Sequence, residues 1–151
     1  MQRHPALQPL SRDHHDVLVV ARTLNKSVQD QATQRSALRS FVTLWNDELR
    51  SHLELEERWL TPHLSDDLRR RMTSDHTRIR EMSADVVNLV SSDLEPPTEF
   101  VAELADVLRN HVRWEEREVF ESLQATLSTQ ELEDLAKITG PLDVARRSRH
   151  A

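Results

Sequence analysis

Hydrophobic and polar positions along the chain repeat at helical spacing from residue 10 onward. Leu10, His14, Val17, Ala21, Leu24 and Val28 follow steps of four and three, the stripe of an amphipathic helix, with Ser11 as its N-cap and QDQATQ as the following turn. The same alternation links Leu38, Val42, Trp45, Leu49, His52, Glu56, Trp59 and His63, and Pro62 marks the end of that second helix. Met72, His76, Ile79, Ser83, Val86 and Val90 form a third stripe, on a helix starting near Ser65 or near Thr73. After SSDLEPP, whose paired prolines end one helix and open another, come Val101, Leu104, Leu108, His111 and Glu115, with Trp114, Val119 and Leu123 beside them. STQELEDLAKIT has a capping-box pattern in Ser128 and Glu131 and predicts a short fifth helix ending before Gly140-Pro141.

Four long amphipathic helices with short connections predict an all-α fold, an up-down-up-down four-helix bundle with a short C-terminal extra helix. The expected division is a lead over 1–9, the bundle over 10–127, and the short helix and tail over 128–151. Arg146, Arg147 and Arg149 read as a solvated, frayed end. Composition agrees with a helical chain of one domain: among 151 residues there is one Gly and no Tyr.

Charge narrows the partners. The 20 basic and 26 acidic residues are interspersed and sum to -6, which gives no general reason to bind nucleic acid or an anionic membrane. With no Cys, disulfides, thiolate nucleophiles and Cys-held metals are excluded, so any metal must sit on His and carboxylate. MQRHPALQPLSRDHH lacks the apolar core of a signal peptide and Val17 to Ala21 is far short of a membrane span, so a soluble, cytoplasmic protein is expected.

The polar residues on the stripes change the picture. His14, His52, Glu56, His76, His111 and Glu115 occupy positions that the helical pattern reserves for apolar side chains. The skeleton His-x-x-x-Glu-Glu-Arg occurs twice, at His52 to Arg58 and at His111 to Arg117, and each copy follows an Asp-His pair, Asp13-His14 or Asp75-His76. Residues four apart on a helix lie about 40° apart around its axis, so each His and Glu project together. In the predicted topology the starts of the first and third helices lie beside the ends of the second and fourth, and all six side chains converge toward one end.

Burying an unpaired carboxylate costs several kcal/mol, and two are placed in one core with no Lys or Arg on the neighbouring stripes. A bound metal is the simplest compensation. Two octahedral ions need about twelve ligand positions. Four histidines, two bridging carboxylates and an oxo or hydroxo bridge fill about ten, which leaves about two open to a small molecule such as dioxygen.

The order His14, His52-x-x-x-Glu56, His76, His111-x-x-x-Glu115 resembles the hemerythrin-like proteins with the HHE cation-binding domain, over about residues 10 to 125. The resemblance implies a di-iron centre, two Fe ions in a four-helix bundle, that binds or senses dioxygen, nitric oxide, peroxide or redox state. The chain departs from the family's oxygen carriers in two ways. Met72 and Arg80 stand where a fifth histidine would be, and Glu115 in HxxxE replaces an Asp in HxxxxD. Both differences place it nearer the four-His bacterial and regulatory branch.

Other residues divide by position. His15 lies about 100° around the helix from His14 and reads as a surface or supporting residue, with ligation beside or instead of His14 as the alternative. His63 follows Pro62 and reads as a cap or loop residue, with an open metal position as its alternative. His4 and His150 fall in the tails. Glu57, Arg58, Glu116 and Arg117 read as an exposed charged strip, or else as supports for the ligand histidines. Trp59 and Trp114 read as core aromatics beside the site.

Three functions stand against one another: a di-iron protein that binds or senses a small oxidant, a weak peroxidase or oxidase or an iron-delivery and repair protein, and a zinc-bound or metal-free interaction module. A sensor would need a separate protein partner, and the stripes leave a homodimer open.

Overall fold

A computed structural model describes residues 2–150, with side chains through Arg149; His150's side chain lies outside the described part. Every regular element among these residues is helical. The first, α1, spans Gln8–Ser27 and buries Leu10, His14, Val17, Ala21 and Leu24, as the spacing predicts. It begins earlier than expected. Pro9, in the first turn, presets the backbone and has no N–H to satisfy, so Leu7 stands at the N-cap and Ser11 falls inside the helix. The Ser11 hydroxyl instead donates to Glu116, 3.0 and 2.8 Å from its two oxygens.

The second helix, α2, covers 34–60 through Gln34–Leu44, Trp45–Leu49, Arg50–Leu55 and Glu56–Leu60, and a 3-10 turn, Thr61–His63, follows it. Trp45–Leu49 and Glu56–Leu60 are π-helical turns, closed by Arg50 N–H donating to the Trp45 carbonyl and Thr61 N–H to the Glu56 carbonyl. They explain which side chains face inward. In an ideal α-helix each four-residue step drifts by about 40°, so Glu48, His52, Glu56 and Leu60 would spiral off one face. The wider turns cancel that drift, and all four are buried.

The same underwinding corrects one expectation: Leu60 takes an inward place, and Trp59, expected in the core, is 38 % exposed. His63 lies exposed in the turn after α2, as its place after Pro62 predicts.

Helix α3 is Asp66–Ser91, capped by Ser65, whose hydroxyl accepts from Leu68 N–H at 3.3 Å; its start is thus the earlier of the two expected. The chain then turns through Asp93, at φ 52°, and Pro97 opens α4. This helix covers 98–126 as Thr98–Trp114, a π-turn at Glu115–Val119, and Phe120–Thr126. Its π-turn puts Val119 and Leu123 on the buried face.

The last helix, α5, is Thr129–His150, opened by the expected capping box: Glu131 N–H donates to Ser128 Oγ at 3.0 Å and Ser128 N–H to Glu131 Oε1 at 2.9 Å. It is not short, and it runs through Gly140 and Pro141. A proline inside a helix costs about 3 kcal/mol, and contacts on both sides of it offset that. Before it, Leu132 and Leu135 enter the core and Thr139 Oγ1 donates to the Ala6 carbonyl at 2.7 Å. Beyond it, Asp143 pairs with Arg12, and Arg146 with Asp13 and Asp16. Arg149 lies 3.9 Å from Glu48, so Arg146 and Arg149 are not a frayed end.

Helix α1 packs on α2 and α4, α3 packs on the same two, and α5 lies against α1. At one end, the Gln34 side chain donates to the Ser27 carbonyl and Thr98 Oγ1, joining the end of α1 to the starts of α2 and α4. Two apolar clusters fill the interior. One contains Val17, Leu24, Phe41, Leu53, Ile79 and Leu104. The other contains Leu7, Leu10, Leu60, Met72, Phe120 and Leu135, so residues before 10 and after 127 share in the core. No helix among the described residues is long and apolar enough to cross a membrane.

Candidate metal centre

The six polar stripe residues meet between the two apolar clusters, each from 0 to 4 % exposed. His14 comes from α1, His52 and Glu56 from α2, His76 from α3, and His111 and Glu115 from α4. They form two groups, His14, His52, Glu56 and Glu115, and Glu56, His76, His111 and Glu115, with the ligand atoms of each group within 4.8 Å of one another. Both glutamates belong to both groups. Glu56 Oε2 lies 3.1 Å from His52 Nε2 and 4.0 Å from His14 Nε2, whereas its Oε1 lies 3.3 Å from His76 Nε2. Glu115 Oε1 is 3.5 Å from His14 Nε2, and its Oε2 is 2.6 Å from His111 Nε2.

Neighbouring ligand atoms on one ion, each about 2.1 Å from it, are about 3 Å apart. The eight inward atoms, four Nε2 and four carboxylate oxygens, are buried without a hydrogen-bond partner. Buried polar atoms are normally satisfied, and eight such atoms converging from four helices fit a metal-binding site. Imidazole nitrogen and carboxylate oxygen suit iron or zinc.

Each histidine is held from behind. The Nδ1 atoms of His14, His52, His76 and His111 lie against Glu116 Oε2 at 2.6 Å, Asp13 Oδ2 at 3.0 Å, Glu57 Oε2 at 2.6 Å and Asp75 Oδ2 at 2.9 Å. A proton on Nδ1 shared with a carboxylate leaves the Nε2 lone pair directed inward. The repeat thereby acquires a physical meaning. In each half, the Asp before the first histidine grips the second, and the Glu after the inward glutamate grips the first histidine of the other half.

Glu57 and Glu116 are therefore supports, not the exposed strip expected for them. Their neighbours do face outward: Arg58 lies over the Trp59 ring at 4.9 Å, and Arg117 is 3.5 Å from Glu118. Aromatic rings complete the surroundings, with Phe120 stacked on His14 at 5.2 Å and Trp114 5.8 Å from His111. Trp114 is buried beside the site, as expected.

Neither alternative ligand joins. His15 is exposed, and His63 lies at the surface 3.6 Å from Glu131. His4 Nδ1 accepts from Ala6 N–H at 3.0 Å in the N-terminal turn.

The charges around the site are mutually dependent. Burial disfavours charge on His52, yet the carboxylates of Glu56 and Asp13 raise its pKa to about 10. Glu56, against the penalty of its own burial, is held below the carboxylate range by His52 and His76. In His111, burial prevails and lowers the pKa. Asp13, Glu57, Asp75 and Glu116 are all lowered: burial pushes each up, but their histidine partners, helped by nearby Arg146, Arg80, Arg71 and Arg3, outweigh it.

A carboxylate whose folded pKa is depressed adds stability above its unfolded value and loses it as pH falls through the folded value. Metal-free protein should therefore lose melting temperature as pH drops below about 4. Thermal unfolding followed by circular dichroism across pH 2 to 7 checks this, and Glu57→Gln should flatten the slope. Glu48 acts in the opposite sense. Burial, then Asp16 and Asp13, push it up to about 8, so its contribution is lost as pH rises from about 4.5 toward 8.

Loss of a support should also weaken metal binding. Asp75→Asn is expected to reduce affinity at the group containing His111 by about 10- to 100-fold, read by isothermal calorimetry.

An all-helical protein with four buried histidines and two shared glutamates defines a candidate metal-binding protein. Residues 6–123 match the model of the Hemerythrin HHE cation binding domain, and the chain belongs to that family. No curated protein and no solved structure matches the chain.

Proposed function

We propose that the first four helices form an up-down-up-down four-helix bundle around a di-iron centre that binds or senses dioxygen or a related small oxidant. His14 and His52 would hold one iron, His76 and His111 the other, and Glu56 and Glu115, common to both groups, would serve both. The single observation that carries this reading is the sharing of both glutamates between two groups of buried, unpartnered donors. A lone metal would use one group and leave the other two histidines without a purpose.

An iron pair held there would supply reversible redox chemistry and open coordination positions for dioxygen, nitric oxide or peroxide. The chain's own residues do the remainder. Asp13, Glu57, Asp75 and Glu116 fix the histidine tautomers, and Leu10, Met72, Trp114 and Phe120 keep bulk water from the glutamates. With two nitrogen and two carboxylate donors in each group, the set is richer in nitrogen than the Glu-x-x-His sites of ferritin-like di-iron oxidases, which favours binding over oxidase turnover.

The test is the visible spectrum of iron-loaded protein, prepared without oxygen, before and after air is admitted. A new absorption on exposure, without steady consumption of peroxide in a parallel assay, is expected. A spectrum indifferent to air would overturn the oxidant-binding reading, and sustained peroxide turnover would move the protein to the enzymatic class.

A further inference from the structure

The supports behind the four histidines each meet an arginine, and the arginines sort by metal position. Behind His76, Glu57 is gripped by Arg80 at 2.6 and 2.9 Å; behind His111, Asp75 lies 3.6 Å from Arg71. Both arginines belong to α3, inside the segment that matches the family. Behind His14, Glu116 accepts from Arg3 at 3.2 Å, and behind His52, Asp13 accepts from Arg146. Residues 3 and 146 both lie outside the matched segment 6–123. One metal position thus draws its outer support from α3 and the other from the two ends of the chain.

Arg146 is the most enclosed of the four. Its side chain is 13 % exposed, against 18, 37 and 49 % for Arg3, Arg80 and Arg71. Solvent and salt screen it least. Its guanidinium reaches Asp13 and Asp16 and lies 3.3 Å from Glu48 Oε1. Asp13 offers Oδ1 to Arg146 and Oδ2 to His52 Nδ1, so the guanidinium fixes the carboxylate that orients the imidazole. Glu116 is held by Ser11 as well as by Arg3, and Asp13 by Glu48 as well as by Arg146.

We propose that Arg146 is a positioning residue for the metal position of His14 and His52, acting through Asp13, and that α5 thereby governs the occupancy of that position. This rests on the two-metal reading above. The helix that carries Arg146 docks through Leu132, Leu135 and Thr139, so undocking α5 withdraws this arginine, whereas Arg71 and Arg80 remain on α3.

The test is anaerobic titration of the metal-free, full-length protein with Fe(II), followed by calorimetry, for the parent, Arg146→Ala, Arg146→Lys, Arg80→Ala and the Arg146→Ala/Arg80→Ala double variant. The parent is expected to take two ions; a parent that takes fewer sinks the two-metal reading, whatever Arg146 does. Given two, Arg146→Ala should weaken one event about tenfold and leave the other within twofold. Arg80→Ala should weaken the other event, and the double variant both, since separate positions respond independently. Arg146→Lys, which keeps the charge but not the fork, should recover part of the loss. Unchanged affinities in Arg146→Ala, or an equal weakening of both events together with a fall in melting temperature, would overturn the proposal; the second result would make α5 a general scaffold.

Discussion

Glu56→Gln is expected to empty both metal positions at once. The substitution keeps the size of the side chain but exchanges one carboxylate oxygen for an amide nitrogen, which donates and has no lone pair for a metal. Because Glu56 directs Oε2 toward His52 and Oε1 toward His76, no orientation of Gln serves both groups. The loss at each position should exceed the roughly 100-fold upper range for removing a supporting hydrogen-bond partner, and metal per chain should fall from two to near zero. His76→Ala should behave differently. Its Nε2 belongs to one group alone, so it should empty one position preferentially. Elemental analysis of the two variants, with circular dichroism to confirm folding, separates these outcomes. A Glu56→Gln protein that keeps two full equivalents would show that the glutamate does not serve both ions.

Stripping the metal should produce the second large effect, on stability. A ligand that binds only the folded state stabilises it by about 4 kcal/mol when present at 1,000 times its Kd. Two such ions contribute about 8 kcal/mol, and a chain of this length shifts by roughly 2–4 °C per kcal/mol. Melting temperature should fall by on the order of 15–30 °C on chelation. The buried glutamates add to the contrast, because their four carboxylate oxygens lack hydrogen-bond partners within the protein. Differential scanning calorimetry of metal-loaded and chelated protein reads the shift. Glu56→Gln, which cannot hold the pair, should melt at the same temperature in both conditions.

The six inward residues were legible in the sequence because they violate it locally. A histidine or glutamate at a stripe position is conspicuous among Leu, Val and Ile, and the doubled His-x-x-x-Glu made the pairing visible. The helices followed from spacing and from the breaks at Pro62 and Pro96-Pro97. Their convergence at an end was only partly right, since Leu7, Leu10, Leu132 and Leu135 close over the site as a second apolar cluster.

What escaped notice depends on contacts between helices. Periodicity assumes 3.6 residues per turn, so it could not see the π-turns at Glu56 and Glu115 that turn Trp59 outward and Leu60 inward. Glu57 and Glu116 read first as a solvated strip on their own helices, with support of the ligand histidines as the alternative, and the neighbouring helices decide for the alternative by placing them against His76 and His14. The doubled Asp-His and Glu-Glu were the available signal. Gly140-Pro141 is a local stop signal, overridden because Thr139 on one side and Asp143 and Arg146 on the other are tied to the N-terminal turn and α1.

The most direct test of a bridged metal pair is metal content per chain, by elemental analysis of protein purified without oxygen. Two irons per chain are predicted, one for each histidine pair. One ion per chain, or a full complement of zinc with no iron, would contradict the di-iron centre while leaving the helical fold as described.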